Sequence, residues 1–130
     1  MRHFAIATAI LLSPLFAGAA LAQDGDAEAG RRVSNQCRAC HTFDQGGRNG
    51  VGPNLFGVVG RRAGSIEGFR YSANMQELAG TGHVWTVENL RRYVHDPKSV
   101  LPRGTMSFPG LRNETQLNDM IAYLQTLKAQ

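Results

Sequence analysis

Apolar residues near the C-terminus fall at Leu117, Met120, Ile121, Leu124 and Leu127, the i, i+3, i+4, i+7 spacing of one helical face. Asn113 followed by Gln116 resembles a capping box at the start of that run. A second apolar stripe, Val87, Leu90, Tyr93 and Val94, predicts a helix that begins at Thr86 and stops before Pro97. A shorter helix is expected after Ser72, a good N-cap, ending with Gly80 as the C′ residue. A first helix is expected over 26–36. Nowhere does a strand-like alternation of apolar and polar residues occur, so the fold class is all-α with about four helices.

A different apolar pattern opens the chain. Arg2 and His3 precede a nearly unbroken apolar run over 4–21, and Ala20-Leu21-Ala22 has the A-x-A form of an export cleavage site. A retained membrane anchor is the alternative, but the run is barely long enough to span and Pro14 interrupts it. Cleavage after Ala22 removes 22 of 130 residues and leaves 108, enough for one domain over 23–130. Arg2 departs with the leader, so 13 of the 14 basic residues remain against 10 acidic ones, a net charge of +3. That excess is too small to argue for nucleic acid, but it suits an acidic protein partner.

Between Gly46 and Gly68 lie eight glycines, with Pro53 among them. No phosphate-binding glycine motif is present. Backbone lying close against a flat cofactor explains the glycines better than a free surface loop does.

Cys37-Arg38-Ala39-Cys40-His41 supplies the reason for a cofactor. Cysteines at i and i+3 followed at once by histidine form the attachment signature of a c-type haem. One helical turn sets both sulfurs on one side, where each thiol can add to one of the two haem vinyl groups. His41 can then offer an imidazole nitrogen to the iron. A disulfide would leave His41 unexplained. A thioredoxin-like pair needs a βαβ setting that is missing, and zinc needs more ligands than the two cysteines of this chain provide. Thioether attachment also removes both thiols from oxidative pairing after export.

The sixth iron position has five candidates in the mature chain: Met75, Met106, Met120, His83 and His95. Met120 sits on the apolar stripe of the last helix and reads as core. Met75 lies in the short helix. His83 stands in a glycine-rich turn before Trp85, and His95 adjoins Asp96-Pro97. Met106 differs from these, because it lies in the Pro/Gly-rich loop 101–110 between two helices, where an apolar residue packs inward or serves function. A thioether ligand raises the potential and closes the coordination sphere, which favours electron transfer over catalysis.

With these motifs in order, the chain resembles the class I c-type cytochromes, in particular the short soluble bacterial relatives of mitochondrial cytochrome c. The resemblance runs from Gly30-Arg31-Arg32-Val33 through the haem motif, Gly52-Pro53-Asn54-Leu55, Gly60-Arg61-Arg62, Gly68-Phe69-Arg70-Tyr71, Asp96-Pro97-Lys98 and Met106-Ser107-Phe108 to Asp119-Met120-Ile121-Ala122-Tyr123-Leu124. It implies the small cytochrome c fold around one covalent haem c, with iron ligated by His41 and Met106. It also implies that Pro53 supports His41, that Arg61, Tyr71 and Trp85 meet the haem propionates, and that Asn74 and Tyr93 form a polar network beside the ligand methionine. Two positions depart from the family pattern. Ser34 stands where an aromatic residue is usual, so an aromatic placed there is expected to add packing against the last helix. Gly104 stands where a threonine is usual, and Thr105 is displaced by one.

The function this implies is a monomeric, soluble periplasmic one-electron carrier, not an enzyme. Its partners would be redox proteins such as a cytochrome bc complex, a terminal oxidase, a photosynthetic reaction centre or a periplasmic dehydrogenase, with no nucleic acid and no membrane insertion after cleavage. The competing readings are a haem peroxidase or gas-binding protein with a labile Met106, and a dedicated electron acceptor of one dehydrogenase. Lys98, Arg103, Arg112 and Arg38 are expected to form a basic rim for docking.

Overall fold

The computed structural model describes residues 25–130. The expected leader and its cleavage site lie outside the described residues. Five α-helices occur among them: α1 Ala27–Val33, α2 Ala73–Gly80, α3 Val87–His95, α4 Pro97–Val100 and α5 Glu114–Thr126. A single 3-10 turn, Ser34–Gln36, joins α1 to the cysteine motif. No strand occurs among the described residues, and the all-α expectation holds. None of these helices is long and apolar enough to cross a membrane.

Four of the five helices start where a short polar side chain accepts from an otherwise unpaired backbone N–H. The Asp26 carboxylate accepts from the N–H groups of Glu28 and Ala29 at 2.8 and 3.0 Å. Ser72, Thr86 and Asn113 do the same for α2, α3 and α5, accepting from Met75, Asn89 and Gln116 at 3.1, 3.1 and 3.0 Å. Two boundaries differ from expectation. Helix α2 runs through Gly80 and is capped by Thr81, and the glycine with left-handed backbone is Gly82, at φ +78°. Helix α4 was not anticipated: Pro97 ends α3 but also suits the first position of a new helix, where no N–H is needed.

Helices α1 and α5 cross and form the frame. Gly30 sits at the crossing, and a Cβ there would overlap the carbonyl oxygen of Asp119. The Asp119 carboxylate in turn accepts from the N–H of Asp26 at 2.8 Å, tying the start of α1 to α5. Along α5, Leu117, Met120, Ile121, Tyr123 and Leu124 are all buried. Phe43 packs at a tilt on Tyr123, with centroids 5.7 Å apart.

Ser34 corrects an expectation. Its side chain is fully enclosed, at 0% exposure, and its hydroxyl donates to the Arg31 carbonyl at 2.7 Å. The helix pair has closed on a small residue, so an aromatic ring has no room there.

Segment 60–63 lies antiparallel to 83–85 through an isolated bridge between Arg62 and Val84. Gly60 N–H donates to the Trp85 carbonyl at 2.8 Å, Trp85 N–H to Arg61 at 2.8 Å, and Ala63 N–H to His83 at 2.9 Å. This pairing sets Arg61 and Trp85 on the same wall of the interior.

Candidate functional site

The helices and loops enclose a cavity of about 320 Å³. Cys37, Cys40 and His41 line it from one side, and Met106 lines it from the 101–110 loop. Pro53, Arg61, Tyr71, Trp85 and Tyr93 complete the expected set. Of the ten residues read from sequence as cofactor-binding, Asn74 alone does not line the cavity. Its carboxamide oxygen accepts from the Arg103 N–H at 2.9 Å, so it ties α2 to the loop that carries Met106.

The 3-10 turn and the bonds from the Cys40 and His41 N–H groups to the Cys37 carbonyl, at 3.1 and 2.9 Å, curl the motif into one turn. Both thiols are free and half-buried, and burial pushes the Cys37 thiol up from its ordinary range. His41 Nδ1 lies 2.7 Å from the Pro53 carbonyl. A carbonyl can only accept, so Nδ1 carries the proton and Nε2 keeps its lone pair. Burial lowers the His41 pKa, with the Pro53 carbonyl as the smaller, opposing influence, and this favours the neutral ring. Gly52 makes the approach possible, since any Cβ there would overlap the imidazole.

Arg61 donates to the carbonyls of Asn54 and Phe56 at 2.8 and 2.5 Å while still facing the cavity. Burial pulls its pKa down, and the nearby Tyr71 opposes that. The Tyr71 hydroxyl accepts from the Ile66 N–H at 3.0 Å. Trp85 is buried and stacks on Tyr93, with centroids 5.0 Å apart and planes 28° apart. Burial raises the Tyr93 pKa to about 12.

Three methionines reach the cavity: Met75, Met106 and Met120. Met120 belongs to the buried core, and Met75 packs against it. Met106 is half-buried, stands outside that core packing and lines the cavity from its loop. No cluster of three or more His, Cys, Asp or Glu side chains suited to a metal ion exists among the described residues. The donors instead suit an iron carried by a macrocycle: two free thiols, one imidazole with an available nitrogen, one thioether and a mainly apolar wall. A c-type haem fits these residues.

Sequence reasoning overlooked Asn54 and Thr42, which brace the segment below His41. Asn54 stands inside a quoted motif, but its burial, at 8% exposure, was not legible from its polar side chain. The expected basic rim is also largely paired within the chain. Arg103 meets Glu77 at 2.6 Å, Arg112 meets Asp96 at 3.3 Å and Lys98 donates to the Gly104 carbonyl at 2.6 Å. Arg38 lies over the Phe43 ring, 4.8 Å from its centroid.

Residues 27–128 match the Cytochrome c family. The chain is 40% identical over 136 residues to a cytochrome c2 from Rhodospirillum rubrum, covering 98% of this chain and 100% of that protein. It is 50% identical over 84 residues to a cytochrome c from Trypanosoma brucei brucei, covering 65% of this chain and 87% of that one. Among solved structures, cytochrome cH from Methylobacterium extorquens superimposes with a TM-score of 0.70 at 40% identity, covering 78% of this chain and 99% of that chain.

Proposed function

This chain belongs to the cytochrome c family, and from that premise we propose that it is an exported one-electron carrier whose single haem is held by Cys37 and Cys40, with His41 and Met106 as the axial ligands of the iron. The observation that supports this reading is the presence of Met106 in the cavity wall, outside the core packing that holds Met75 and Met120. When bound, a haem supplies a reversible one-electron change at iron. The chain's own residues do the rest. Cys37 and Cys40 would hold the haem by thioethers, each thiol adding S and H across one vinyl group. Pro53 holds His41 in the tautomer that leaves Nε2 available. Asn74 and Lys98 fix the loop that presents Met106. Trp85, Tyr93, Leu101 and Met120 keep water from the inner wall.

With the His41 nitrogen and the Met106 sulfur both as ligands, the iron would keep no open coordination position, which favours a carrier over a peroxidase or gas-binding protein. Arg61, Tyr71 and Trp85 are suited to receive the propionates. The acceptable partners are redox proteins of the exported compartment, and the leader-like residues 1–22 support that location.

The test is an absorption spectrum of the reduced protein with and without carbon monoxide. Unchanged bands are expected for the wild type, whereas Met106→Ala binds carbon monoxide and has a lower reduction potential. Met75→Ala should retain the wild-type spectrum. Ready carbon monoxide binding by the wild type would overturn the closed site and favour a gas-binding or peroxidatic role.

A further inference from the structure

The segment below His41 has no regular secondary structure, yet it is laced to the haem motif by a dense set of bonds. Gly52 N–H donates to the Cys40 carbonyl at 2.8 Å and Leu55 N–H to the Thr42 carbonyl at 2.9 Å. Between them, His41 Nδ1 donates to Pro53. Asn54 holds the centre. Its amide nitrogen donates to the Thr42 hydroxyl at 2.8 Å and to the Asp44 carbonyl at 3.0 Å, and its carboxamide oxygen accepts from the Phe56 N–H at 3.2 Å. Its own N–H donates to the Asn49 carboxamide oxygen at 2.8 Å, and its carbonyl accepts from Arg61. The side-chain orientation is unambiguous, because the Asp44 carbonyl can only accept and the Phe56 N–H can only donate.

Thr42 follows His41 in the chain, and Asn54 follows Pro53. The Asn54–Thr42 bond therefore joins the two residues adjacent to the His41–Pro53 bond. We propose that Asn54 and Thr42 are a positioning pair that sets the strength of the His41 Nδ1–Pro53 hydrogen bond, and through it the reduction potential of the haem. This rests on the reading of His41 as an iron ligand.

The physical argument concerns softness. Glycines at 50, 52 and 57 flank the segment, so its backbone has wide freedom unless side chains restrain it. A buried amide with both hydrogens and its oxygen bonded inside the protein is a rigid tie. Without it the Pro53 carbonyl can drift, and the bond to Nδ1 weakens steeply with distance and angle. An acceptor on the far nitrogen makes a ligating imidazole a stronger donor, which favours the ferric state. Loosening the tie makes the ligand a weaker donor and raises the potential. Thr42 also accepts at one end and donates at the other, since its hydroxyl reaches the Arg48 carbonyl at 2.6 Å. Replacing it with valine removes both bonds at nearly constant volume.

The experiment uses the haem-loaded protein and two readouts, the reduction potential and the hydrogen-exchange rate of the His41 Nδ1–H followed by NMR. Thr42→Val and Asn54→Ala are each expected to speed that exchange. Each should also shift the electron-exchange equilibrium with a fixed redox partner at least threefold toward the ferrous form, about 28 mV at the one-electron value of 59 mV per tenfold. Thr42→Ser, which keeps the hydroxyl, should match the wild type in both. Asn113→Ala, which removes the α5 cap far from the site, controls for general destabilisation and should move neither. If Asn54→Ala does not accumulate, the Thr42 pair decides alone. Unmoved potential or exchange in Thr42→Val, an equal shift in Thr42→Ser, or an equal shift in Asn113→Ala overturns the proposal. The ligation reading is judged separately: loss of the low-spin spectrum is expected for His41→Ala, and its retention strikes that reading rather than the positioning pair.

Discussion

At the scale of single residues, His83 is the group whose surroundings fit it least. Its ring meets Trp85 edge-on, with centroids 4.7 Å apart, and its Nε2 is sealed without a hydrogen-bond partner among the described residues. Burial lowers its pKa, and the charge of Arg92 adds to the effect. The sign follows directly. The unfolded chain takes up a proton on this ring at a higher pH than the folded one, so its contribution is unaffected well above the ordinary histidine value and turns against folding as pH falls through it. His83→Phe keeps the edge-on contact and removes the titration. Denaturant midpoints of the haem-loaded protein at pH 7 and pH 5 should therefore differ less in the variant than in the wild type. An equal acid loss in both would assign it to other groups.

At the scale of elements, the crossing of α1 and α5 carries the architecture. Gly30 brings the two backbones together, and Ser34, one turn further on, fills what space remains. Gly30→Ala would gain helix propensity in a solvent-facing helix, by about 1 kcal/mol. Here the added methyl meets the α5 backbone, which cannot swing aside as a side chain would. Overpacking on that scale costs about 1–3 kcal/mol, and the overlap with Asp119 places this case at the upper end, so a net loss is expected. Thermal or denaturant unfolding measures it. A variant as stable as the wild type would show that the helices can separate without loss.

At the scale of the whole molecule, the small net positive charge of the sequence is further reduced where docking was expected. Arg103 and Arg112, which flank the Met106 loop, face Glu77 and Asp96 across exposed ion pairs. Such pairs add little stability, but they cancel much of the local field. Beside the cavity, Val51 is 81% exposed and offers apolar surface instead. Electron transfer to a redox partner is accordingly expected to depend weakly on salt, with association rates falling by no more than about tenfold across a stopped-flow ionic-strength series, the low end of electrostatic steering. A much steeper fall would restore the basic rim as the docking surface.

The all-α class, the four expected helix starts and the attachment motif were legible in the sequence because each depends on residues close together in the chain. A capping side chain reaches two or three residues ahead, an apolar stripe repeats within one helix, and Cys37, Cys40 and His41 share one turn. The family resemblance extended this reading to Pro53, Arg61, Tyr71, Trp85, Tyr93 and Met106, and all six line the cavity. What the sequence could not decide depends on groups brought together from far apart. The bond between Asn74 and Arg103, 29 residues apart, is visible only in the fold. Ser34 reads as a packing defect until the α1–α5 crossing encloses it. Asn54 and Thr42 read as polar loop residues until the chain folds back and binds them together beside His41. Local spacing determined which groups could bind a haem, and tertiary structure decided how firmly they are held, because that firmness comes from hydrogen bonds between segments whose separation along the chain carries no local signal.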